Sequence, residues 1–213
     1  MIPKIIHQVF WNFKGKELNE IPCFMIHTEL TRAFCKGHNI KYKMWSLKEC
    51  EELICEHYPE YIELWSEFRH PIQKADFIRY LILHRFGGIY VDCDIYPIKP
   101  LTDLLKDDLL FVCWNNDLQK KPYNAIMGSK PLNDLFIRIC NDIIDRVEEK
   151  QSMTIYETWV GRLVFQTTGH HMLKHHVPKS SIKDIMFIQN KEKNIIVKSD
   201  NPYFMDSNIS SWF

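Results

Sequence analysis

PIQKADFIRYLILHRFGGIYVDCDIYPIKP, residues 71–100, is the stretch whose reading decides the fold. It divides into a helix, a double-glycine stop, a short buried strand and an Asp-Cys-Asp at the strand's end. Pro71 suits the first helical position, where a missing N–H costs nothing. Ala75, Ile78, Leu81, Ile82 and Phe86 then recur three or four apart, as a core-facing stripe requires. Gly87 and Gly88 end the helix, because glycine accepts the left-handed conformation found at helix C-termini. Ile89, Tyr90 and Val91 suit a strand. On an extended chain the next acids, Asp92 and Asp94, point to the same side.

Around this stretch, strands alternate with helices. Lys4–Phe10 reads as a first strand, Pro22–Lys36 as a helix stopped by Gly37, and Ile40–Trp45 as a second strand. Ser46 and Glu49 have the spacing of a capping box, so Leu47–His57 is expected to be helical. Pro59–Phe68 follows as another helix. Beyond the central stretch, Leu109–Trp114 is an apolar run suited to a strand covered on both faces. Asn124–Gly128 reads as a short strand and Pro131–Lys150 as the longest helix. Ile155–Phe165 and His170–Val177 suit shorter helices, and Ile185–Ile188 and Asn194–Lys198 late strands. The pattern implies one layered α/β domain over residues 1–213. In such sheets ligands bind beyond the carboxyl ends of strands, where Asp92 and Asp94 fall.

Composition narrows the partners. Of 213 residues, 46% are hydrophobic and 25% charged, the balance of an ordinary globular chain. Basic and acidic residues number 27 each, which implies no general pull toward nucleic acid or anionic membrane. Seven scattered cysteines without metal-ligand spacing suit reduced thiols and a cytoplasmic setting. The opening MIPKIIHQVF does not read as a signal peptide, and no uncharged run approaches the ~20 apolar residues of a membrane span.

Two carboxylates in a partly closed cleft repel each other and lose hydration, so they call for a counter-charge. A divalent ion supplies it, and oxygen ligands suit Mg²⁺ or Mn²⁺, which complete their shells with substrate phosphates. The Asp-x-Asp therefore makes sense as a holder of metal plus diphosphate; two solvated acids at a strand end are the plain alternative. Asp76, Arg79 and Tyr80 stand at i, i+3 and i+4 on one face of the preceding helix. They read either as binders of sugar hydroxyls or as a buried ion pair tying helix to sheet.

Ala75-Asp76-Phe77-Ile78-Arg79-Tyr80, Leu83, Gly87-Gly88-Ile89-Tyr90 and Asp92-Cys93-Asp94 together resemble the core motif of the DXD sugar transferases of glycosyltransferase family 32. Ile2–Gln8 is similar to that family's first strand, Thr168-Gly169 to its later Thr-Gly-Pro, and Tyr203–Trp212 to a terminal segment ending in Ser-Trp. The resemblance implies a GT-A fold, with a Rossmann-like mixed central sheet flanked by helices. It implies a nucleotide-sugar donor, a divalent metal (Mn²⁺ or Mg²⁺) and retention of anomeric configuration. By position, Asp94 would bind the metal directly, and Asp92 the ribose and the metal's water shell. Asp76 and Arg79, with Tyr80 beside them, would hold the sugar. Ser211 and Trp212 would close the site, with the Trp212 N–H near the leaving diphosphate.

Three positions depart from the family pattern. Phe10 and Trp11 stand where a single base-stacking Trp is usual, and either ring could serve. His170 replaces the Pro after Thr-Gly. Asp206-Ser207 replaces a frequent His-His, which makes Asp206 a candidate metal ligand, with Asn208 and Ser210 as substitutes. UDP-glucose is the first expectation for the donor, then other UDP-hexoses or a UDP-deoxysugar, then GDP-mannose. The compact form resembles glycosyltransferase domains of large algal viruses, which would make the acceptor a virion-type glycan. Competing readings are a haloacid-dehalogenase phosphatase, disfavoured by Tyr96 and by the motif's mid-chain place, and a non-catalytic nucleotide-sugar or glycan-binding module. GxGxxG and GxxxxGK[ST] are both missing, so dinucleotide and P-loop chemistry lack their motifs. His171 and His175 have zinc-compatible spacing, but no accompanying ligand pattern.

Overall fold

The computed structural model describes residues 1–11, 15–68, 70–113, 122–152, 173, 175–183, 187–191, 194–197 and 202–206. In chain order the first half holds β1 (Ile5–Val9), α1 (Pro22–Gly37), β2 (Lys41–Trp45), α2 (Leu47–His57), α3 (Ile62–Glu67) and α4 (Pro71–Phe86). Then come β3 (Gly88–Val91), β4 (Ile95–Pro97), β5 (Leu109–Cys113), β6 (Pro122–Ser129) and α5 (Asp134–Ser152). The last strands are β7 (Ile182–Lys183), β8 (Phe187–Lys191), β9 (Asn194–Val197) and β10 (Phe204–Asp206). The main sheet has the order β2-β1-β3-β6-β5-β7, and a smaller one the order β4-β10-β8-β9. β1, β2 and β3 are parallel, while β6 runs antiparallel to both β3 and β5, so the sheet is mixed. This is the GT-A arrangement expected from the resemblance.

Strand alternation builds two cores. Tyr90, Phe111 and Met127 face the larger one, with α2, α3, α4 and α5. Ile89, Val91, Leu110 and Ile126 face the other, where Cys35 of α1, Leu104, Leu105 and Phe204 meet them. Burying both faces is what lets the central strands read as continuous apolar runs. α4 is more deeply enclosed than a stripe implies: Ala75 through Leu83 are all buried. A helix packed on several sides buries its whole circumference, polar residues included.

Several boundaries differ from the sequence reading. Pro59–Phe68 is a short 3₁₀ turn followed by α3. β6 has eight residues, longer at both ends than Asn124–Gly128, because pairing with β3 and β5 extends it. The late strand read at Ile185–Ile188 is found at Phe187–Lys191. β4 and β10 were not expected; each is only three residues long and gains its order from the other. Trp114, Thr168 to His171 and the helix expected at 155–165 lie outside the described residues. Among the described residues no helix is long and apolar enough to cross a membrane.

The double glycine carries more than a helix stop. Gly87 and Gly88 have φ of +63° and +94°. A Cβ on Gly88 would lie 2.5 Å from Ile5 Cγ2 and 2.7 Å from the Ile5 carbonyl oxygen. Only glycine satisfies both the left-handed backbone and the close approach of β1. Buried His7 secures the same junction. Its Nε2 lies 2.9 Å from the Gly87 carbonyl, and the Trp45 indole N–H, which can only donate, meets its Nδ1 at 3.1 Å. The neutral Nε2–H tautomer is therefore held on both sides.

Burial, assisted by Lys43 and opposed by the Gly87 bond, lowers the His7 pKa to about 4. The unfolded chain takes up this proton near pH 6.5, so it binds more protons than the folded chain between those values. The contribution is full above pH 6.5 and is lost as pH falls toward 4, up to about 3 kcal/mol. Urea unfolding of His7→Gln at pH 7, 5.5 and 4.5 should show a shallower loss of stability than the natural chain. Parallel pH dependences would contradict the assignment.

Candidate active site

The site grows from one buried cation. Arg79 on α4 is 2% exposed. Its Nη2 lies 2.9 Å from Asp76 Oδ1, and its Nη1 lies 3.2 Å from Asp92 Oδ1. The guanidinium also donates to the Ala75 and Asn124 carbonyls and lies over the Tyr90 ring, 4.6 Å from its centroid. Asn124 returns a bond from Nδ2 to Asp76 Oδ1 at 2.9 Å. Burial alone would lower the Arg79 pKa, but Asp92, Tyr90 and Asp76 more than offset it, so the group stays charged. The helix-to-sheet tie read in the sequence is thus present, and it extends to the first acid of the Asp-Cys-Asp.

Asp92 is held from two sides. The Tyr90 hydroxyl donates to Oδ1 at 2.7 Å, opposite Arg79. Burial, against the pull of Arg79, pushes the Tyr90 phenol well above its ordinary value, so it remains a donor. Burial likewise raises the Asp92 pKa, opposed by Arg79 and the Tyr90 hydroxyl.

The two acids do not stand on an extended strand. β3 ends at Val91, and the Asp92 carbonyl accepts the Ile95 N–H at 3.0 Å, closing a turn that leads into β4. Backbone pairing explains the change: Ile95 must turn back to meet β10, where it lies opposite Asp206. That register carries Asp206, fully buried, to the Asp-Cys-Asp. Its Oδ2 lies 3.5 Å from the Tyr123 hydroxyl. Tyr123 is pushed well above a normal phenol by burial and by Asp206, Asp94 and Asp92, with Arg79 opposing. Of these groups, Asp206 is the one with a hydrogen bond to the Tyr123 hydroxyl.

Tyr80 is fully buried against Phe136, with Asp76 and Asn124 beside its hydroxyl. Phe10 and Trp11 are both half-buried just beyond the carboxyl end of β1; Phe10 packs edge-on to Phe24, and Trp11 to Trp65. Ser211 and Trp212 lie outside the described residues, as do Asn208 and Ser210. Among the described residues, no three His, Cys, Asp or Glu side chains are grouped closely enough to hold one ion. By donor type alone, the carboxylate oxygens of Asp94 and Asp206 suit a hard cation.

Sequence reasoning missed Tyr90, Tyr123, Asn124 and Gln8 as parts of the site. Tyr90 had a usable signal, standing two residues before Asp92. Tyr123 and Asn124 are polar residues in a strand otherwise apolar, and nothing local says which carboxylates they meet.

The comparisons agree with this geometry. Residues 23–111 match the family described as "Glycosyltransferase sugar-binding region containing DXD motif". The whole chain is 26% identical to an uncharacterized glycosyltransferase of Acanthamoeba polyphaga mimivirus, over 84% of that protein. A mannosyl phosphorylinositol ceramide synthase of Saccharomyces cerevisiae is 32% identical over 65% of this chain. The chain spans only 34% of that yeast protein. Among solved structures, a glycosyltransferase involved in glycosylating the major capsid of PBCV-1 aligns over 97% of this chain and 94% of its own, with TM-score 0.51 and 14% identity. PaToxG glycosyltransferase aligns over 83% and 69%, with TM-score 0.50 and 12% identity. Residues 23–111, which hold the buried Asp76–Arg79–Asp92 tie and the Asp-Cys-Asp turn, thus match a glycosyltransferase sugar-binding region with its DXD motif, on a chain of the GT-A fold.

Proposed function

We propose that this domain moves a hexose from a UDP-sugar, UDP-glucose first, to a hydroxyl of a glycan, with retention of configuration and a bound Mn²⁺ or Mg²⁺. The observation that carries the reading is the β4–β10 pairing, which seats Asp206 opposite Ile95, next to Asp94. Asp92 bonds Arg79 and Tyr90; on the resemblance, Asp94 and Asp206 would hold the ion directly, with Asp92 on its water shell. When bound, the ion would stabilise negative charge on the departing diphosphate without proton transfer.

The chain's own groups then divide the remaining work. Asp92, kept in place by Tyr90, offers its remaining oxygen toward the ribose and the ion's water shell. Asp76 and Arg79, both nearly covered, form the floor under the sugar, and Tyr80 supports them from the core. Phe10 or Trp11 stacks on the base. Ser211 and Trp212 close over the diphosphate, the indole N–H donating to the leaving oxygen.

The viral likenesses support a virion-type glycan acceptor, and the yeast likeness makes GDP-mannose the second donor to test. Free thiols at the six cysteines whose state is described support a reducing, cytoplasmic setting.

Thermal-shift screening of nucleotide sugars with and without Mn²⁺ tests the donor. The matching sugar at a hundred times its Kd should add about 2.7 kcal/mol of stability, and only with the metal. An equal response to UDP-glucose without metal would contradict the ion's role. Asp94→Asn should keep the fold and lower transfer about 10²–10³-fold. A wild-type rate in that variant, or in excess chelator, would remove Asp94 as the ion's ligand. Arg79→Met should behave differently. It leaves Asp76 buried without its counter-charge and should cost about 3–5 kcal/mol in urea unfolding, along with activity.

A further inference from the structure

Gln8 has no exposed surface, and its amide carries two bonds across the sheet. Nε2 donates to the Asp92 carbonyl at 3.1 Å, and Oε1 accepts the Tyr42 hydroxyl at 2.8 Å. Chemistry sets that orientation, since a flipped amide would press Oε1 against a carbonyl oxygen. The Asp92 carbonyl also takes the Ile95 N–H that closes the turn, so both of its lone pairs are used. Val9, the next residue of β1, accepts the Cys93 thiol on its carbonyl at 3.4 Å. Two consecutive residues of β1 therefore grip two consecutive residues of the Asp-Cys-Asp turn.

The fold has little need of this grip. β1 is already joined to β2 by backbone pairing from Ile5 to Val9, and to β3 at Ile6 and His7. A buried glutamine costs free energy unless fully bonded, and an apolar residue would pack there more simply. What the amide adds is a defined shape for residues 92–95.

We infer that Gln8, backed by Tyr42, is a positioning residue that holds the Asp92–Ile95 turn, and with it Asp94, in the shape that enters β4 where Ile95 pairs with Asp206. The inference rests on the donor-and-metal reading of that turn. Gln8 itself touches no reacting atom. It acts through the Asp92 backbone, which separates it from Arg79 and Tyr90, both of which act on the Asp92 side chain.

Gln8→Met keeps the volume and removes both bonds. Its melting temperature should stay within about 5 °C of the natural chain. Amide hydrogen exchange at Ile95 should quicken about tenfold while that at Tyr90 is unchanged, and the Mn²⁺ concentration for half-maximal UDP-glucose hydrolysis should rise about tenfold. Tyr42→Phe, at a half-exposed position, should shift both readouts less and add nothing on top of Gln8→Met. It also serves as the test if Gln8→Met fails to fold. Unchanged exchange at Ile95 in both variants overturns the inference. So does quickened exchange with an unchanged Mn²⁺ requirement. Quickened exchange in a chain that shows no metal-dependent hydrolysis even in its natural form would leave the grip on the turn standing and remove the metal reading.

Discussion

Arg79 is the constraint on which the site depends. A guanidinium 2% exposed has given up its water, and it keeps its charge only because Asp76, Asp92, two carbonyl oxygens and the Tyr90 ring replace that water. Each replacement comes from a different place in the chain: Asp76 and Ala75 from α4, Tyr90 from β3, Asp92 from the turn and Asn124 from β6. The cation can be satisfied only when helix and sheet are docked in one register. The same docking leaves the first acid of the Asp-Cys-Asp already occupied.

The junction between α4 and β3 shows why the motif sits where it does. Gly87 and Gly88 bring the helix back to the sheet so tightly that a side chain at Gly87 would collide with Ser129 and Pro131 and one at Gly88 with Ile5, and His7 bonds the Gly87 carbonyl from the neighbouring strand. This places β3 beside β1 in the middle of the main sheet, and places the end of β3 beside Gln8 and Val9. The turn that carries the acids is therefore anchored to central strands of the main sheet. A turn closed by one backbone bond would otherwise be a weak platform, because loop conformations are easily lost when few buried contacts support them.

The smaller sheet adds the other half of the site. β4 and β10 are three residues each, too short to persist alone, and they exist because the chain past residue 200 returns to pair with the segment that leaves the Asp-Cys-Asp. Pairing of backbone groups chooses the register, and the register sets Asp206 opposite Ile95 and within reach of the Tyr123 hydroxyl. An acid more than a hundred residues away in sequence becomes a neighbour through main-chain hydrogen bonding, with its own side chain having no part in that choice.

Much was legible without tertiary structure. Apolar periodicity, the Pro71 start, the double glycine and the Ser46–Glu49 capping box located α4, α2 and the central strands, because such signals depend on neighbours within a few residues. The motif residues Asp76, Arg79, Asp92 and Asp94 were visible for the same reason. What the sequence could not decide was how the two acids are oriented and what surrounds them. Strand alternation put Asp92 and Asp94 side by side on an extended chain, whereas pairing with β10 demanded a turn. All-round burial of α4, the Tyr90 and Asn124 bonds and the Gln8 grip are likewise long-range outcomes. By itself the sequence determined the elements and the chemical identity of the acids, since both follow from local covalent structure. Only the tertiary structure decided that Asp92 pairs with Arg79 and that Asp206 lies opposite Ile95, because both depend on how helix and strands dock in register.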